Sequence, residues 1–407
     1  MTFKTQILKI RPVLATILLS WGALWGGLGW ATATDQNDIH WLVESLIESR
    51  GQTEQGKLQN PEVLAQKLTD LKAQLKAHQS EELKNYFKEV FNLDLGFENP
   101  FEFARLKSRE NLNRLRSNKK NLEQTLEFQK SFAAMKRMTS RFRHNTTTPP
   151  TSPLTPPLWL SSKKLDELGF KDGLQGMFWF NREFLKTKNW VFFFTNAESD
   201  AFYGRGAIFV KKDYADQVGL IFPFVMYLSD LGKAGFQMNP GLKVHRVFPE
   251  EFGKLRPKFL RFARSEGTPL ADYAKAQMLI DKKASKSLQF LDDHLEVFQN
   301  FRTHLIDFMF TPEDYRTLVS EKLALQLLHL KRKKDLQGYH SMLESLDSGD
   351  LSKISTYVRE ALKKAKLPSH YELRIPVAIP GSQLEVELPP PRCEEALSNN
   401  DLNFSFE

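Results

Sequence analysis

Between Trp190 and Val210 the chain places residues that could do chemistry. An apolar run, Trp190-Val191-Phe192-Phe193-Phe194, meets a polar turn holding Glu198 and Asp200. Tyr203 follows, then Gly204-Arg205-Gly206 lets the backbone turn tightly into a second apolar run, Ala207-Ile208-Phe209-Val210. Carboxyl groups at the mouth of an aromatic strand pair are poorly solvated, which raises their pKa and suits them to general-acid work. The chemistry this would suit is general-acid catalysis, and the alternative reading of the chain is a glycan hydrolase with Glu198 as the acid and Glu183 or Asp200 as the second carboxylate; Tyr203 and Arg205 are candidate binding groups.

Two short resemblances touch the same stretch. Tyr203-Gly204-Arg205-Gly206 with Ile208 is similar to the Tyr-Gly-Arg-Gly segment of lysozyme-like family 19 chitinases, which implies Glu198 as acid; Phe209 stands where that family has glutamine, and Glu198 lies close to the motif. Gly204–Val210 is similar to a Gly-Lys-Gly-x-Tyr-Phe strand of ADP-ribosyltransferases, although Leu160-Ser161 offers no histidine or arginine to clamp nicotinamide.

A second chemistry is suggested by charge. Residues 99–143 hold twelve Lys and Arg against four Glu, a net +8, and Arg114, Arg116, Lys119 and Lys120 form its densest part. A basic helix of this kind concentrates polyanions, so an anionic envelope component or a protein partner is the expected contact. Lys331-Arg332-Lys333-Lys334 adds a basic run near a helix C-terminus, where it also complements the helix dipole.

Other chemistries lose their residues. One cysteine, Cys393, excludes an internal disulfide framework and a cysteine-based zinc cluster. There is no Walker loop, Gly-x-Ser-x-Gly elbow, His-Glu-x-x-His pair or dinucleotide fingerprint. His294 and His304 are ten residues apart, which turns them about 80° from one another on a helix without a Glu-x-x-His pairing. No metal and no cofactor is therefore expected.

The elements that would carry these residues begin after an export signal. Lys4, Lys9 and Arg11 precede an uncharged stretch from Pro12 to Trp30 that closes on Ala31-Thr32-Ala33, the layout of a signal peptide cut after Ala33. Residues 1–33 are thus expected to leave, taking the net charge from +8 to +5, and no membrane span should follow. Retention of the apolar segment as an anchor is the competing reading. Export argues for a periplasmic or secreted protein and against nucleic acid as partner.

Residues 34–144 show helical apolar spacing throughout. Asn60-Pro61-Glu62 and Asn99-Pro100-Phe101-Glu102 supply an N-cap, a proline at the first helical position and an early acid. After Pro100 no Gly or Pro appears until Pro149, so one basic helix of about 40 residues, ~60 Å long, is expected. The Pro/Thr-rich stretch at 145–157 reads as a linker. Residues 158–267 form an aromatic-rich part with strands at Met177–Phe180, Trp190–Thr195, Ala207–Lys211, Leu220–Tyr227 and Leu242–Phe248. Residues 268–388 carry helices, one opened by Thr311-Pro312-Glu313-Asp314 and one from Asp350, then alternating runs on both sides of Pro380-Gly381 that read as a terminal β-hairpin. Residues 389–407 form a tail.

With 407 residues, two to three domains are expected, and 41% apolar against 26% charged residues excludes both a disordered chain and a multi-span membrane protein. The fold class is α+β, predominantly helical. The expected function is an exported, non-enzymatic binding or scaffolding protein of a bacterial envelope that contacts an anionic partner; the alternative is the glycan hydrolase centred on Glu198.

Overall fold

The computed structural model describes residues 35–50, 60–96, 98–117, 119–146, 156–170, 186–195, 206–224, 303 and 305–387. The segment expected to be a signal peptide, the strands expected at Met177–Phe180 and Leu242–Phe248, and the expected tail lie outside the described residues.

Helix starts follow local chemistry. Helices α1 (Asp35–Arg50), α2 (Pro61–Ala73), α3 (Leu75–Phe91), α4 (Pro100–Leu115) and α5 (Leu126–Met138) precede the first strand, β1 (Arg141–Thr146). Asn60 accepts from the Glu62 N–H and Asn99 from the Phe101 N–H, so both Asn-Pro signals cap as expected. Strand β2 (Leu158–Leu160) leads into α6 (Ser162–Glu167); β3 (Trp190–Phe194) and β4 (Gly206–Lys211) precede α7 (Lys212–Val218) and β5 (Leu220–Pro223). Helices α8 (Pro312–Arg332), α9 (Leu336–Ser348) and α10 (Leu351–Lys364) then run to β6 (Tyr371–Pro376), β7 (Ala378–Pro380) and β8 (Leu384–Glu387). Thr311 caps α8 by accepting from the Asp314 N–H, and Asp350 caps α10 through Lys353.

The main sheet is antiparallel in the order β5-β6-β3-β1-β4-β8. Its alternating side chains enter two cores. Val191, Phe193, Ile221, Leu373 and Ile375 pack with Leu318, Val319, Leu323 and Met342 of α8 and α9. Trp190, Leu220 and Phe222 pack on the other side with Leu83, Tyr86, Phe87 and Val90 of α3. Strand β6 is buried along its whole length, because helices cover both of its faces. The expected α+β, predominantly helical class is the observed one.

Three features differ from the sequence reading. The single long basic helix is instead two helices and a strand. Arg116 ends α4 in extended backbone (ψ 155°), Asn121 takes a left-handed φ of 58°, a 3-10 turn covers Leu122–Gln124, and Thr125 caps α5 through the Phe128 N–H. No Gly or Pro is needed for this break: Asn tolerates the left-handed region and Thr offers a cap oxygen. Secondly, the terminal runs do not form a hairpin. Three strands, β3, β1 and β4, stand between β6 and β8. Between those runs β7 leaves the main sheet to pair with β2, and Val377, with a φ of 69°, makes the bend.

Thirdly, the hydrophobic core crosses the Pro/Thr-rich stretch. Leu112, Ala134, Met135, Met138 and Phe142, all before it, share one core with Val191, Leu318, Ile354 and Leu373 after it. Its ends are also held: β1 reaches Thr146, and the Gly381 N–H donates to the Pro157 carbonyl at 2.9 Å.

Candidate functional site

The residues expected to form a hydrolytic centre, Glu183, Glu198 and Asp200, lie outside the described residues, as do Tyr203 and Arg205. The four residues expected to bind anions are described and divide into two pairs. Arg114 donates to the Asp307 carbonyl and sets its guanidinium 5.4 Å from the Phe308 ring centre. Arg116 sits 3.3 Å from Glu321 Oε2 and also pairs with Glu123. Lys119 and Lys120, in the turn after α4, are exposed and their side chains have no partner among the described residues.

The same division holds along the basic segment. Lys107 meets Asp307 at 3.5 Å, Arg109 meets Asp314 at 3.3 Å, Lys130 meets Asp347 at 2.8 Å and Arg141 meets Glu385 at 3.0 Å. Part of the net +8 of residues 99–143 is therefore paired with acids of the C-terminal region, although Arg109 and Arg141 keep 59% and 48% side-chain exposure. Glu321 shows how specific this is: at 3% side-chain exposure, its carboxylate takes the Ser117 N–H at 2.6 Å, Arg116 at 3.3 Å and Lys322 at 2.9 Å. These bonds hold the chain where α4 ends.

A different concave site lies where α3 faces the segment entering β3. Glu82, Asn85, Tyr86 and Glu89 recur at helical spacing on one side of α3, and Lys163, Lys186, Lys188 and Asn189 form the opposite wall of a cleft of about 380 Å³. The second wall is held by backbone bonds. The Lys163 N–H donates to the Lys188 carbonyl at 3.1 Å, the Val377 N–H to the Asn189 carbonyl at 2.7 Å, and the Ser161 N–H to the Val377 carbonyl at 2.9 Å. Gln79 anchors the first wall to the same bend, its amide donating to the Pro376 and Ala378 carbonyls at 3.2 and 2.9 Å.

Within the cleft the buried Asn189 amide donates to Glu82 Oε2 at 2.6 Å and accepts from the Ser161 hydroxyl at 2.8 Å. Lys163 stands 3.9 Å from the same carboxylate. Burial raises the Glu82 pKa; the Asn189 bond and Lys163 oppose the rise, and nearby Glu89 adds to it. Behind the cleft Tyr86 accepts from Arg374 Nη1 at 3.0 Å, and Arg374 is fully buried against Glu372 at 2.7 Å and the Phe222 ring at 4.7 Å.

Sequence reasoning missed Glu82, Tyr86 and Asn189. The visible signal for the first two is the i, i+4, i+7 spacing of Glu82, Tyr86 and Glu89 along one helix; Asn189 has none. Ser80-Glu81-Glu82 reads locally as a helix start, whereas the helix begins earlier, at Leu75.

Among the described residues no group of three His, Cys, Asp or Glu is placed to hold a metal ion, and no helix is long and apolar enough to cross a membrane. Compared with models of known protein families and with curated proteins, the chain matches none.

Proposed function

We propose that the protein is an exported, non-enzymatic binding or scaffolding protein of a bacterial envelope, and that it meets an anionic partner through the turn after α4 rather than through a long basic helix. The observation that supports this is the division within one basic cluster: Arg114 and Arg116 are engaged by their own chain, while Lys119 and Lys120 are exposed and without a side-chain partner among the described residues. Charges already paired inside a protein have little left to offer a ligand, since their desolvation and ordering are spent on the fold.

The test separates the two pairs. The exported form, without residues 1–33, is sedimented with vesicles of 30% phosphatidylglycerol in phosphatidylcholine at low salt, ~10 mM, where the Debye length is about 30 Å. The K119Q/K120Q double variant should lose binding with its unfolding midpoint unchanged. The R114Q/R116Q variant should keep binding and unfold more readily, because Glu321 at 3% side-chain exposure then loses a partner. Equal binding by K119Q/K120Q and the parent overturns the proposal.

A further inference from the structure

The cleft between α3 and the segment before β3 carries charges that an anionic surface would not use. Its volume of about 380 Å³ lies within the range of small-molecule sites. Two carboxylates and three ammonium groups line it, and they are unequally committed. Lys188 is paired with Asp166. Lys163 is shared with Glu82, whose Oε2 is held by Asn189. Glu89 on one wall and Lys186 on the other are exposed and have no ion-pair partner among the described residues. One uncommitted acid and one uncommitted base therefore line the same cleft, together with Tyr86 and Asn189.

We propose that this cleft binds a small zwitterion of amino-acid or dipeptide size, its ammonium group taken by Glu82 and Glu89 and its carboxylate by Lys186. A simple anion would have to sit beside two carboxylates, and a simple cation beside Lys163 and Lys186. A zwitterion satisfies both walls at once and leaves the cleft with no added net charge. The Asn189 bridge, fixed at its far end by Ser161, keeps the Glu82 carboxylate oriented before any ligand arrives, which lowers the ordering cost of binding. A ligand ammonium group also adds to the positive neighbour that Glu82, held at 13% side-chain exposure, has in Lys163 at 3.9 Å.

The probes are glycylglycine, N-acetylglycine, which lacks the ammonium group, and glycinamide, which lacks the carboxylate, each titrated calorimetrically into the full chain. Glycylglycine should bind, and each analogue should bind at least about tenfold more weakly, since each leaves a charged group without its partner. E89Q should weaken glycylglycine and reduce the discrimination against N-acetylglycine; K186A should weaken it and reduce the discrimination against glycinamide. Both positions are exposed, so circular dichroism should be unchanged. No heat from glycylglycine at ~10 mM, N-acetylglycine or glycinamide binding as tightly as glycylglycine, or full retention of binding in both variants overturns the proposal.

Discussion

Arg374 Nη1 donates to the Tyr86 hydroxyl across 3.0 Å, and this bond joins the fully buried strand β6 to helix α3. The guanidinium also holds Glu372 through Nε at 2.8 Å and Nη2 at 2.7 Å, and lies 4.7 Å from the Phe222 ring centre. Two residues apart on one strand, Glu372 and Arg374 share the face toward α3, so a charged pair occupies the sheet side that Trp190, Leu220 and Phe222 otherwise make apolar. The network also touches the cleft, because Tyr86 is both its acceptor and one of the residues that line the cleft.

Removing one member of that pair leaves the other buried and uncompensated. Arg374→Met should destabilise the fold by about 3–5 kcal/mol, while the E372Q/R374M double variant should recover much of the loss, because neither a carboxylate nor a guanidinium then remains to be desolvated. Urea unfolding of the two variants and the parent measures the difference. A double variant as unstable as Arg374→Met would mean that the lost packing around the guanidinium matters more than the stranded charge.

The same pair sets a pH dependence. Desolvation raises the Glu372 pKa above its ordinary value of 4.5, with Arg374 opposing the rise. The folded state therefore holds this proton more tightly than the unfolded state does. The stability it contributes is fully present below pH 4.5 and is lost as pH rises through the raised folded value. In E372Q that component should vanish, so the stability of the parent relative to E372Q should fall across this window as pH increases. Parallel unfolding curves at a series of pH values check the sign; a parent that gains on E372Q as pH rises contradicts it.

Gly381 is fixed by a close approach. A Cβ there would lie 2.0 Å from the Pro156 carbonyl oxygen and 2.9 Å from its carbon, both backbone atoms with little freedom to yield. Gly381→Ala should cost about 1–3 kcal/mol by forcing β7 away from β2, a cost typical of overpacking at a rigid contact. Thermal unfolding reads the loss, and hydrogen exchange at the Gly381 amide, which bonds to Pro157, should accelerate with it.

Cleavage within residues 147–155 should not separate the molecule. Strand β1, before the cut, is bonded to β3 and β4 after it, and Phe142 and Met138 are buried in the core that Leu318 and Leu373 help to build. A nicked sample should elute as one species on native size exclusion and split into two bands only under denaturing conditions. Dissociation of the fragments without denaturant would show that the N-terminal part carries a core of its own.

Local chemistry made much of the architecture readable in the chain. The Asn-Pro and Thr-Pro starts at Asn60, Asn99 and Thr311 cap their helices because a side-chain oxygen, a proline φ and an early acid act within a few residues of one another. Trp190–Phe194 and Gly206–Lys211 are strands for the same reason of proximity: dense aromatic and β-branched runs bounded by turns. Strand β1 was not legible. Arg141-Phe142-Arg143-His144-Asn145-Thr146 has a single apolar residue, and it becomes a central strand because β3 and β4 offer it backbone partners on both sides. The pairing of β6 and β8 followed the same logic, their neighbours being chosen across the sheet rather than across Pro380-Gly381. The cleft is more remote still from any local pattern. Glu82 and Asn189 stand 107 residues apart and meet only because Gln79 and Val377 bring α3 and the entry to β3 to one bend, a contact whose energy comes from long-range packing and hydrogen bonds that no window of sequence contains.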